Sequence, residues 1–156
     1  QKFYRAANCI ISKVGCKNVN VLTALLLSKC VPIIMYGLPA CFLTKTEKTK
    51  LDNSLDVILA KVFGTFNKNI LRQCLYYCGI LPLSHQLDLL KMKFLNGLGQ
   101  LASVDTDYYY LMKVVDRREL VDLYQVHKID LNSRTSHGKR RCRMWNEFEL
   151  SLVMYN

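Results

Sequence analysis

Residues 44–64, TKTEKTKLDNSLDVILAKVFG, decide the reading of the fold. Thr44 and Thr46 are candidate helix N-caps, because a hydroxyl accepts a hydrogen bond from the free amides of a first turn. Glu47 stands three residues after Thr44, the spacing of a reciprocal capping box. Leu51, Leu55, Ile58, Leu59, Val62 and Phe63 then line one side of a helix. Gly64 is the expected stop.

The same grammar runs toward the amino terminus. Phe3, Ala6, Ala7, Ile10, Ile11 and Val14 repeat the three-four step, with Lys2, Arg5, Lys13 and Lys17 elsewhere and Gly15 at the end. A second helix starts near Val19 and carries Leu22, Leu25 and Leu26, with Lys29 at its margin. Pro32 is expected to end or kink it, because proline has no amide hydrogen and crowds the previous turn. Ile33 to Tyr36 can then resume one turn before Gly37-Leu38-Pro39.

Toward the carboxyl terminus, Asn67 or Asn69 can cap a short helix holding Ile70, Leu71, Cys74, Leu75 and Cys78, stopped by Gly79. Pro82 and Ser84 open another, with Leu87, Leu90, Phe94 and Leu98 in register. Asp105 or Asp107 could cap a helix through Tyr108 to Val115, and Arg117 to Lys128 could form one more. From Asp130 to Arg143 no apolar period appears, so loop or disorder is expected there. No run of alternating residues reads as a strand. The expected fold is all-α, a small multi-helix bundle with an irregular basic C-terminal tail. Its parts are a helical domain over 1–100, additional helices over 101–129 and the tail over 130–156.

Composition narrows the function classes. At 156 residues and 51% hydrophobic, the chain can bury a core as one domain, or a domain plus a tail. Its 7 Gly and 3 Pro exclude collagen-like and linker-rich chains. The net charge is +10, which a phosphate backbone or an anionic surface would reward and catalysis does not require. Residues 1–100 hold 13 basic and 4 acidic residues, whereas 101–156 hold 9 and 8, so the charge belongs to the patterned part. Seven cysteines, an odd number, point to a reduced intracellular protein rather than a disulfide scaffold. Gln1-Lys2-Phe3-Tyr4-Arg5 has charge but no apolar run after it, so it is not expected to be a secretory leader, and Gln1 in the first position is expected of a processed or fragmentary chain.

A membrane span is weighed against a buried helix. Cys30 to Leu43 is free of charge but only 14 residues long, short of the roughly 18 to 20 needed to cross a bilayer. Extension back to Val19 takes in Lys29 and Asn20, and Pro32, Gly37 and Pro39 interrupt it. A kinked core helix is the expected account, with no membrane partner.

The chemistry-bearing residues are sparse. No Asp-Asp pair occurs, and Asp105-Thr106-Asp107 reads as a cap rather than a two-metal site. No Gly-rich phosphate loop, HExxH or GxSxG pattern is present. Cys74-x3-Cys78-x6-His85 offers three zinc ligand types, but the fourth position is Leu90, and structural zinc takes four. His137-x4-Cys142 could complete a distant site, and Cys142 among its cations could be a reactive thiol; an exposed, inert thiol is the expected reading. Tyr108, Tyr109 and Tyr110 could stack bases, although neighbours on a helix diverge by about 100°. No catalytic residue, metal ligand or cofactor is assigned. Lys139, Arg140, Arg141 and Arg143 form a cluster that suits nucleic acid or nuclear import as well as a plain solvated loop.

Three stretches carry a family resemblance: Lys2-Phe3-Tyr4-Arg5-Ala6-Ala7-Asn8 with Ser12-Lys13-Val14-Gly15; Leu26 to Leu38 with Ala40-Cys41; and Leu55-Asp56 with Lys61-Val62-Phe63 and Phe66. The sharpest part is Lys29-Cys30-x-Pro32-x-x-x-Tyr36-Gly37-Leu38-x-x-Cys41. Together they resemble the region just downstream of the polymerase palm in reverse transcriptases of LINE-type, non-LTR retrotransposons, over roughly residues 1–95. The resemblance implies a thumb-like helical part of a larger polyprotein, an RNA-directed DNA polymerase. The palm's Asp-Asp motif and the endonuclease have no counterpart here, so no catalytic residue transfers. Implied partners are the backbone of an RNA or DNA template-primer duplex and the remainder of the polyprotein, with a nuclear location if the parent element is active. Candidate phosphate contacts are Lys13, Lys17, Lys45, Lys48 and Lys50, which flank helix ends, together with Lys139, Arg140, Arg141 and Arg143. The alternative is a helical protein-interaction domain or a non-functional retroelement remnant.

Overall fold

The computed structural model describes residues 2–15, 18–102, 116–129 and 137–153. The chain is all-α, and among these residues there is no strand. Its helices are α1 (Lys2–Val14), α2 (Val19–Leu25), α3 (Val31–Met35), α4 (Lys45–Phe63), α5 (Lys68–Tyr77), α6 (Leu83–Ala102), α7 (Asp116–Val126) and α8 (His137–Val153).

The caps read from the sequence are formed. Thr44 Oγ1 accepts from the Glu47 amide, and the Glu47 carboxylate accepts from the Thr44 amide at 2.8 Å, closing the capping box of α4. These bonds favour the ionised carboxylate and hold the Glu47 pKa below its ordinary value. Gly64 ends α4 with φ +68°, a left-handed conformation that a Cβ would strain. Asn67 caps α5 through its side chain.

Pro32 does not end its helix. A π turn, Leu26–Cys30, joins α2 to α3, and the Val31 amide reaches back five residues to the Leu26 carbonyl. The wider turn lets the helix carry a residue with no amide hydrogen. By length and composition Val19–Ala40 could cross a bilayer. Here Leu22, Leu26, Cys30, Val31 and Met35 are buried, and the segment packs against α1 and α4.

Two apolar clusters result. Phe3, Ala7, Leu22, Leu26, Cys30, Ile58 and Val62 join α1, α2, the π turn and α4. The larger cluster centres on Leu59, Leu75, Leu83, Leu87, Met92, Met144 and Phe148, joining α4, α5, α6 and α8, with Leu123 and Tyr124 of α7. Helices α4 and α6 pack together, and α8 lies on both α5 and α6.

Two sequence expectations are corrected here. Residues 137–143 belong to α8 rather than to a loop; Met144 and Phe148, one turn apart, are buried and seat the helix. On α6 the inner face is Leu83, Leu87, Met92 and Leu95, while Leu90 and Phe94 remain 39% exposed. The stripe read as core is thus partly an outer one. The expected helix over 108–115, residues 130–136 and Lys17 lie outside the described residues.

Candidate nucleic-acid interface

The acidic side chains of the bundle are largely engaged with its own groups. Asp52 accepts from the Ser84 amide at 2.8 Å, at the start of α6. Asp88, on the inner face of α6, accepts from the Lys48 ammonium at 2.5 Å. Its other oxygen lies 3.1 Å from His127 Nε2. On the opposite edge of that ring, Nδ1 is 2.9 Å from Glu147 of α8. Glu119 of α7 pairs with Lys91, and Glu149 accepts from the Tyr76 hydroxyl at 2.9 Å. Asp56 is half-buried, and its pKa is raised by burial and by Asp52, against the pull of Lys68 and Arg72.

The chain Lys48–Asp88–His127–Glu147 ties together α4, α6, the end of α7 and α8. Two cations alternate with two anions, so the network is neutral as a whole. Only an imidazolium can donate from both ring nitrogens, and both face carboxylates here. Burial alone would lower the His127 pKa, but the hydrogen bonds to Asp88 and Glu147 prevail and raise it. Burial works upward on Asp88, yet the bonds from His127 and Lys48 bring its pKa below the ordinary carboxylate value. The pKa of His85, whose ring centroid lies 5.8 Å from that of His127, is lowered, first by burial and then by the charge of His127.

Local structure places His127. Helix α7 ends with the Ile129 amide on the Tyr124 carbonyl and the Lys128 amide on the Gln125 carbonyl, a Schellman closure. The left-handed residue is Lys128, at φ +49°, where glycine is usual. His127 therefore sits at the negative end of a helix, where a cation is favoured. Arg143 of α8 donates to the Lys128 carbonyl and closes the same end.

Lys91 forms a second internal node. It is 4% exposed, donates to the Cys41 carbonyl at 2.6 Å, pairs with Glu119 and lies 5.8 Å from the Phe42 ring centroid. It fastens the segment after α3 to α6 and α7.

The candidate contacts divide accordingly. Lys13, Lys45, Lys50, Lys139 and Arg141 are exposed. Lys48 is committed to Asp88, Arg143 to the end of α7, and Arg140 lies 5.5 Å over the Tyr124 ring with its Nε buried and unpartnered. Lys45 and Lys50 share the first turns of α4; Lys139 and Arg141 share those of α8. Lys2, Arg5, Lys29, Lys93, Arg118 and Lys128 add exposed charge outside the candidate phosphate contacts.

Cys74 and Cys78 end α5, and burial together with Cys74 raises the Cys78 pKa. His85 contacts Ser84 Oγ at 3.3 Å rather than those thiols, and no three potential ligands converge as a metal site among the described residues. Cys142 is exposed on α8. The buried polar chain was missed because its members lie 20 to 40 residues apart. The one available signal was Asp88 and Lys91 among leucines on the same helix.

Comparison with protein-family profiles, curated proteins and solved structures gives no match.

Proposed function

We propose that this chain is a non-catalytic, thumb-like helical module that holds the sugar-phosphate backbone of a template-primer duplex, as part of a LINE-type reverse transcriptase. The observation that carries this reading is the sorting of charge. Asp52, Asp88, Glu119 and Glu147 are drawn inward onto internal donors, while Lys13, Lys45, Lys50, Lys139 and Arg141 face solvent and outnumber the exposed Glu47, Asp122 and Glu149. Such a surface attracts polyanions without reading sequence, because phosphate contacts carry no base information. The helices supply a rigid mount, and the family resemblance supplies the setting.

The test is binding of a fluorescent nucleic-acid duplex at rising salt. Affinity should fall by orders of magnitude between roughly 50 and 200 mM salt. Each cation neutralised in Lys45→Ala, Lys50→Ala or Arg141→Ala should lower the salt slope by about 1 if it touches a phosphate. A salt-independent affinity overturns the proposal. The isolated chain should incorporate no nucleotide with Mg²⁺, and measurable extension of a primer would overturn the non-catalytic assignment.

A further inference from the structure

Helix α6 is apolar on two sides. Its inner side fills the larger cluster, and its outer side presents Leu90, Phe94 and Leu98, spaced at four residues. Two grooves meet at Leu90. One, of about 300 Å³, is floored by Leu27, Ile80 and Leu89. The other, of about 410 Å³, lies between Pro39 and the Phe94–Leu98 turn. Both cations that border them, Arg141 on the first and Lys93 on the second, are exposed and carry no acidic partner among the described residues.

We propose that this double groove docks an acidic amphipathic helix of a partner protein. An apolar stripe repeating every four residues matches the anchors of a helix laid alongside, at i, i+4 and i+8. The flanking Arg141 and Lys93 select acidic residues beside those anchors. A nucleic-acid backbone fits this floor poorly, because phosphates and sugars gain nothing from leucine and phenylalanine. Of the basic groups assigned above to the duplex only Arg141 lines these grooves, so Leu90→Glu and Lys93→Glu, which leave those groups untouched, test this reading separately.

The test uses the full chain and a dye-labelled peptide of about 15 residues, long enough for four helical turns. It carries leucines at i, i+4 and i+8 and glutamates on the flanks. A second peptide has the same composition with the leucines out of phase. The in-phase peptide should bind at least about tenfold more tightly. Leu90→Glu should abolish that preference, and the Lys93→Glu, Arg141→Glu pair should weaken binding several-fold. Circular dichroism checks that each exposed substitution leaves the helices intact. Equal binding of both peptides, or indifference to Leu90→Glu, overturns the proposal. So does displacement of the peptide by duplex in proportion to duplex affinity, which makes the groove a nucleic-acid surface. A dimer that Leu90→Glu converts to monomer also overturns it, because the occupant is then a second copy.

Discussion

The two apolar clusters are held by different physics. The smaller one, around Leu22, Ile58 and Val62, joins its helices through apolar contacts. The larger one surrounds a buried polar chain in which Lys48, Asp88, His127 and Glu147 meet across four elements. Apolar burial is non-directional and tolerates repacking. The polar chain is directional: each donor must find its acceptor, and one missing member leaves a charge without an answer. The smaller cluster thus supplies stability that ignores pH, and the larger one supplies position that depends on it.

The largest contrast should come from Asp88→Ala. It strands Lys48 and His127 and should destabilise the fold by about 3–5 kcal/mol in urea unfolding near neutral pH. A loss below about 1 kcal/mol would mean that the chain behaves like a surface ion pair. Ile58→Val, in the smaller cluster, should cost about 1 kcal/mol and the same amount at every pH between 5 and 8. A pH-dependent cost there would erase the distinction between the clusters.

The pH response sharpens it further. An unfolded histidine titrates near about 6.5. The folded pKa of His127 is raised, so its stabilisation is complete below that value and fades as pH rises through the folded pKa. His85 acts oppositely: its folded pKa is lowered, so a penalty grows as pH falls below the unfolded value. His127→Gln should therefore flatten the alkaline decline of stability, and His85→Gln should flatten the acid one. Parallel curves for wild type and His127→Gln across that range would refute the assignment of an imidazolium.

Smaller effects concern helix ends. Thr44→Ala removes the box that opens α4 and should cost about 1 kcal/mol. Lys128→Gly should stabilise by up to about 1 kcal/mol, since glycine occupies the left-handed region without the Cβ clash. Loss of stability on that change would show that the Lys128 side chain matters more than its backbone.

Local signals were legible. Thr44 with Glu47, Gly64, Asn67 and Gly79 marked helix ends because a cap is decided within four residues. Non-local choices were not. Helix α8 was hidden by its basic first turns, since Met144 and Phe148 supply apolar spacing only after them. The end of α7 carried neither glycine nor asparagine, so Lys128 gave no sign of a left-handed residue. Leu90 and Phe94 obeyed the helical period, yet periodicity does not say which of two stripes faces inward. His127 looks like an ordinary surface residue until the fold brings it 3.1 Å from Asp88. The exposed lysines of the proposed interface were partly legible as a charge bias, whereas the internal engagement of Lys48, Arg140 and Arg143 was not.

The π turn ahead of Pro32 sits where the rod passes from one cluster to the other. Leu22, Leu26 and Cys30 feed the smaller cluster, whereas Val31 and Met35 feed the larger. That loop of backbone holds one surplus residue and fixes the angular offset between the two ends, like a key with bits cut at different angles. Deleting a single residue there would turn one bit out of its lock while the other stayed seated.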